Sequence, residues 1–306
     1  MRIILWALAL FLSLASADAR QPGGSFQDPG RVWTDLARFT NGGLTPSGDV
    51  TVKSVRSSFS VDPAKKLLVL FSAGQSLPSN ACPTIYTPSN PSKLHNLDPT
   101  TGQIYAAADP LLGTTLQAAG AGVANYNLRL ADTFVSNAVF DEVLIVTVAV
   151  GATSISQWTG GASTFGPLFR NIESASLKLA ARGITPLTTG AIFAVTWNQG
   201  ESDTQFGTSQ AAYQASFAAL KAAVDVYLPS VRWFVATESW LSGSVSSAVQ
   251  AAQAAVVDNV TVFAGANMDS LTSSHRLPDN THLNDAGAAQ AAALTYTAMR
   301  ASGAPF

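Results

Sequence analysis

Four short stretches carry side chains that could do chemistry together: Gly74-Gln75-Ser76, Gly151-Ala152-Thr153-Ser154, Asn198-Gln199-Gly200-Glu201-Ser202-Asp203, and Asp279-Asn280-Thr281-His282. A serine hydroxyl is a weak nucleophile near neutral pH. It needs an imidazole to take its proton, and the imidazole needs a carboxylate to fix its tautomer and stabilise its charge. Asp279 and His282 stand at D-x-x-H spacing, so one short turn can put the carboxylate on Nδ1 and leave Nε2 facing Ser76. The tetrahedral intermediate then needs hydrogen-bond donors for its oxyanion. The N–H groups of Ser76 and Gly151 and the side-chain amide of Gln199 are the candidates, with Asn198 taking that place if the register slips by one. Losing one such donor typically costs about 10² to 10³ in rate. Glu201 is either a brace for a neighbouring loop or an alternative acid for His282, ranked behind Asp279.

These residues need a frame. Five apolar, β-branched runs recur along the chain: 66–73, 142–150, 191–197, 231–237 and 260–266. Their near-continuous apolarity predicts strands covered on both faces. Alanine-rich segments of helical spacing lie between or after them, at 170–183, 209–228 and 282–303, with Pro229 closing the second and Asn284 or Asp285 available to cap the third. Strand alternating with helix predicts an α/β fold: a five-stranded parallel sheet with helices on both faces. In such a sheet ligands bind beyond the carboxyl ends of the strands. The first three stretches follow the first three runs, and Asp279–His282 follows the fifth.

At 306 residues, 47% hydrophobic and 12% charged, the chain has ample core for one domain, taken here as 63–306. Residues 20–62, with the alternating stretch 49–55, read as an N-terminal extension, and the Pro/Ser/Asn-rich stretch 78–110 as a segment draped over the site. The net charge of −2 and the absence of a Lys/Arg run argue against a nucleic acid partner. Residues 1–19 place Arg2 before about 12 apolar residues and Ala-x-Ala spacing, which predicts a signal peptide, export to the periplasm or beyond, and no membrane association after its removal. A spanning helix would need roughly 20 apolar residues. Cys82 is the lone cysteine, so no internal disulfide forms, and the three histidines show no metal-ligand spacing. Asn259-Val260-Thr261 matches a glycosylation acceptor pattern.

The four stretches, in this order, resemble the blocks of the SGNH hydrolases, in particular the sialate O-acetylesterase/acetylxylan esterase branch. Gly74-Gln75-Ser76, the Gly151 turn ending in Trp158, Trp197-Asn198-Gln199-Gly200-Glu201-Ser202-Asp203 and Asp279-x-x-His282 carry the likeness, which spans about 66–300. It implies a three-layer α/β/α sandwich of flavodoxin-like type, with a serine esterase removing acetyl groups from a carbohydrate without a cofactor. The branch places Asn after the serine, where this chain has Leu77. An α/β-hydrolase elbow is disfavoured, since G-x-S-x-G would put glycine at Pro78. Trp158 and Gln75 are candidates for touching substrate, although a tryptophan near a strand end equally well packs inside; Trp197 reads as core, His275 as a rim residue, and Asp203 as a cap or loop charge. Two other functions fit the same residues. A short-chain lipase or general esterase would use the same triad, and a carbohydrate-binding module on a hydrolase scaffold would use none of it.

Overall fold

In the computed structural model the described residues are 59–114, 123–160, 166–188 and 190–305. The predicted signal peptide and nearly all of the predicted extension lie outside them. Seven strands form one sheet in the order β3-β2-β4-β1-β5-β6-β7: β1 Leu67–Gly74, β2 Leu94–Leu97, β3 Ile104–Ala106, β4 Glu142–Thr147, β5 Ala191–Asn198, β6 Arg232–Thr237 and β7 Val262–Asn267. The five apolar runs are β1 and β4 to β7. All pair in parallel, and the sheet gains two short strands on one side, of which β3 is antiparallel to β2. Both come from the stretch expected to drape over the site. That stretch partly extends the sheet instead, and buried side chains hold it there: Asn96 bonds the carbonyls of Leu112 and Ile145, and its Oδ1 accepts from Leu112 N at 2.6 Å.

Seven helices are described: α1 Tyr126–Ser136, α2 Ile155–Thr159, α3 Arg170–Ala180, α4 Glu201–Phe206, α5 Gln210–Asp225, α6 Ser247–Ala255 and α7 Asp285–Ala301. Alternate residues of each strand face opposite sides of the sheet. Val69, Phe71 and Ala73 of β1 join a core shared with α2, α3, α5 and α6, centred on Trp158, Trp197, Trp233 and Phe217. Leu68 and Leu70 join the core on the other face, shared with α1 and α7. The outcome is a three-layer sandwich. Asn284, not Asp285, caps α7, its side chain accepting from Gly287 N. Trp197 is core, as expected: Trp158 stands edge-on to it at 5.0 Å between ring centroids, and Trp233 packs on it at 6.2 Å.

Two glycines let the strand ends meet. Gly74 pairs with Asn198 across β1 and β5, its φ is +125°, and a Cβ there would lie 1.9 Å from the Asn198 carbonyl oxygen. At Gly200 a Cβ would fall 1.7 Å from the Glu238 carbonyl oxygen, so the turn after β5 fits against the end of β6 only because it is glycine.

Candidate active site

The four stretches come out at the carboxyl end of the sheet. Gln75 N donates to the Asn198 carbonyl at 2.8 Å, and Val150 N to the Gly74 carbonyl at 3.0 Å, so the residues after β1 sit between the turns after β4 and β5. Ser76 follows β1 by two residues and is buried; its carbonyl accepts from the N–H and hydroxyl of Ser79 at 3.0 and 2.6 Å, which curls the chain away from the sheet. The left-handed residue of the Gly151 turn is Ala152, at φ +58°. Neither the Ser76 nor the Gly151 N–H donates to an acceptor among the described residues.

Asp279 and His282 form the second half of the site. His282 Nδ1 lies 2.6 Å from Asp279 Oδ2, while Asp279 Oδ1 accepts the N–H groups of Thr281 and His282 at 2.9 and 3.0 Å. Partial burial pulls the Asp279 carboxyl up, but these bonds outweigh it and hold it below its usual value. The turn is tied down from several sides: Arg276 Nη1 donates to the Thr281 carbonyl, Trp240 Nε1 to the Asn280 carbonyl, Ser242 N to Thr281 Oγ1, and Leu277 N to the His282 carbonyl. It is thus tied to the segment that follows β6. No hydrogen bond joins the Ser76 hydroxyl to the His282 ring among the described residues.

The buried amides behave differently from expectation. Gln199 was expected to face the oxyanion, yet its Nε2 donates to the Thr153 carbonyl at 3.0 Å, to Gln75 Oε1 at 3.3 Å and to Asp203 Oδ2. Two N–H bonds are thereby fully engaged. Asn198 offers no substitute, because its Nδ2 donates to Glu238 Oε2 at 2.8 Å and its Oδ1 accepts from Tyr126. Gln75 Oε1 also receives Ser202 N at 3.1 Å, making its side chain a clamp on the turn after β5. Asp203 takes Ile155 N and Thr208 Oγ1 as well, so it is a buried tie between α2 and α4, not a solvated charge. Trp158 is 0% exposed, with its Nε1 on Thr153 Oγ1, and leaves no ring face for a sugar. Cys82 is inert: burial pushes its thiol up to about 12. Among the described residues no group of three or more His, Cys, Asp or Glu side chains could hold a metal ion.

Glu238 and Arg276 were missed. Both are buried, Glu238 directly after β6 and Arg276 with Nε, Nη1 and Nη2 on the carbonyls of Leu271, Thr281 and Met268. The position of Glu238 at a strand's carboxyl end was the signal that could have found it.

Comparisons with known proteins agree with this architecture. A family model described as "Carbohydrate esterase, sialic acid-specific acetylesterase" matches residues 79–300, which include Gly151, Gln199, Asp279 and His282 and begin three residues after Ser76. A solved structure of a protein from Arabidopsis thaliana superposes with a TM-score of 0.54 at 17% identity, covering 76% of this chain and 96% of that one. The crystal structure of NanS gives 0.50 at 16% identity over 76% and 95%. Both likenesses concern the fold. No curated protein sequence matches the chain.

Proposed function

Because the chain belongs to the sialic acid-specific acetylesterase family of carbohydrate esterases, we propose that it removes acetyl groups from sugar hydroxyls by way of a Ser76 acyl-enzyme. The observation that carries this reading is the 2.6 Å contact between His282 Nδ1 and Asp279 Oδ2 on a braced turn at the same end of the sheet as Ser76. With Nδ1 held by the carboxylate, the lone pair of Nε2 is free to take the Ser76 proton as Oγ attacks the ester carbonyl. The Ser76 and Gly151 N–H groups serve the oxyanion, and Gln199 braces the turn that carries them. The sugar alcohol leaves with the proton held by His282. A water, deprotonated by the same nitrogen, then attacks the acetyl-serine carbonyl; acetate departs and Ser76 recovers its proton.

The apolar leader at 3–14 supports a place of action outside the cytoplasm. Among the described residues no helix is long and apolar enough to cross a membrane.

The test is acetate release from acetylated sialic acid and acetylated xylan, set against p-nitrophenyl esters of rising chain length, by the wild type and Ser76→Ala. Acetylated sugars should be turned over best, and Ser76→Ala should lower kcat by about 10⁴ or more with an unchanged melting temperature. Best turnover of long acyl chains would make the protein a lipase. Absence of both ester turnover and Ser76 labelling by a phosphonate would leave only sugar binding.

A further inference from the structure

Three buried carboxyl oxygens at the carboxyl end of the sheet have no hydrogen-bond donor among the described residues: both oxygens of Glu201 and Oε1 of Glu238. The two residues are each 1% exposed. An unpaired carboxylate in such a place costs several kcal/mol, and two side by side repel as well, so groups so placed retain a proton. Glu201 opens α4 after β5 and Glu238 directly follows β6, and these strands are paired neighbours. The two carboxyl groups lie close enough for each to act on the other's ionisation. Carboxylates only accept, so a hydrogen bond between the two requires that one of them be an acid.

We propose that Glu201 and Glu238 share one proton, resident on Glu238, and that the single negative charge left on the pair balances buried Arg276 and thereby positions the Asp279–His282 turn. Glu238 is the donor because its Oε2 already accepts from Asn198 Nδ2, which leaves Oε1 to carry the hydrogen toward Glu201. The surroundings agree. Arg276 favours the charged form of both residues, and Asp269 opposes it at Glu201. Tyr126 and Tyr213, whose hydroxyls burial keeps protonated, are the other titratable groups near Glu238. Burial raises both carboxyls, and the charge of Glu201 raises Glu238 further. The guanidinium of Arg276 spends its Nε, Nη1 and Nη2 bonds on carbonyls, so the pair acts on it through charge. The Thr281 carbonyl it holds is one residue from His282, and this positioning role alone rests on the esterase reading.

The sign of the pH effect follows. A carboxyl whose folded value is raised contributes stability that is complete below the usual glutamate value of 4.5 and is lost as pH climbs through the folded value. Glu238→Gln mimics the acid permanently: its amide donates to Glu201, its carbonyl accepts from Asn198, and it does not titrate. Between pH 6 and 9 the wild-type melting temperature should fall by about 4 °C more than that of Glu238→Gln. At pH 8 the wild type should show the infrared carbonyl band of a protonated carboxylic acid, absent from Glu238→Gln. Asp109, which burial raises to about 7, is removed from that spectrum by an Asp109→Asn background. Parallel melting curves, or no acid band at pH 8 in the wild type, would overturn the shared proton. If Glu238→Gln does not fold, the wild-type spectrum decides alone. For positioning, kcat for an acetyl ester should fall at alkaline pH in the wild type and not in Glu238→Gln, with KM unaltered; identical limbs would sink that role. An acid band in a protein without esterase activity would retain the pair and reject the esterase.

Discussion

The site is built from two regions of opposite character. The ends of β1, β5 and β6 make a buried polar shelf in which Gln75, Asn198, Gln199, Glu201, Asp203 and Glu238 are all nearly inaccessible, with Asn198 bonded to Glu238 and Gln199 to Gln75 and Asp203. The Asp279–His282 turn stands at the surface, with side chains 44% and 18% exposed, and is held mainly by bonds to its backbone. A buried polar group left without its partner costs about 1–3 kcal/mol or more, whereas an exposed ion pair contributes about 0–1. Damage to the shelf should therefore reach stability and catalysis together. Damage to the turn's side chains should reach catalysis alone.

Asp279→Asn gives the largest expected effect and tests the second half of that contrast. The amide keeps the shape but presents the wrong hydrogen-bonding pattern to Nδ1, and kcat should fall by about 10⁴. Stability should hardly move at pH 7. The pairing with His282 depresses the Asp279 carboxyl, so whatever stability it lends exists above the usual aspartate range and fades on acidification; for a group this exposed the amount is small. Calorimetry at pH 7 beside ester kinetics checks both. Near-normal turnover would move the acid role to Glu201 and erase the contrast, because the working acid would then belong to the shelf.

Gly74→Ala attacks the shelf. The new Cβ would sit 1.9 Å from the Asn198 carbonyl oxygen at a φ that side chains rarely adopt, so β1 and β5 must part where Gln75 N bonds Asn198. A loss of roughly 3–5 kcal/mol is expected, seen as a melting temperature lower by about 10 °C, with activity falling alongside. A variant that melts normally but is inactive would show the shelf to be less rigid than its packing implies.

How much of this was legible in the sequence follows the same division. Long apolar runs followed by polar residues announce strand ends in a parallel sheet, which placed Ser76, Gly151 and Gln199 at one edge. D-x-x-H spacing is local, so the Asp279–His282 contact could be read from four residues. The short strands β2 and β3 carry His95, Asn96 and Tyr105 and lack an apolar run. Helix α1 escaped because Asn127 and Asp132 are buried within it through side-chain bonds, which interrupts its apolar period. What the shelf's side chains do was not legible, since their directions depend on which strands become neighbours. Gln199 turns toward Asp203 and Thr153, and Glu238 finds Glu201, only once β4, β1, β5 and β6 lie side by side. Trp158 was ambiguous for the same reason, and the packing of Trp197 against it decides the matter.

Trp240→Phe, the smallest change, examines the border between the two regions. The indole rises from the shelf side after β6, donates to the Asn280 carbonyl at 2.9 Å and lies with the Arg276 guanidinium 5.8 Å from its ring centroid. Phenylalanine keeps an aromatic face toward Arg276 but lacks the N–H. A single lost hydrogen bond of this kind costs about 0.5–1.5 kcal/mol. Arg276 to Thr281 at 2.6 Å, Ser242 to Thr281 at 3.0 Å and Leu277 to His282 at 2.7 Å still hold the turn. Since Asp279 and His282 keep their own contact, the proposed catalytic pair should survive a small loosening of its base, and kcat should drop only a few-fold with KM unchanged. A hundredfold loss in kcat would mean that the tethers act as one unit, and that the exposed turn depends on its anchors as strictly as the buried shelf depends on its partners.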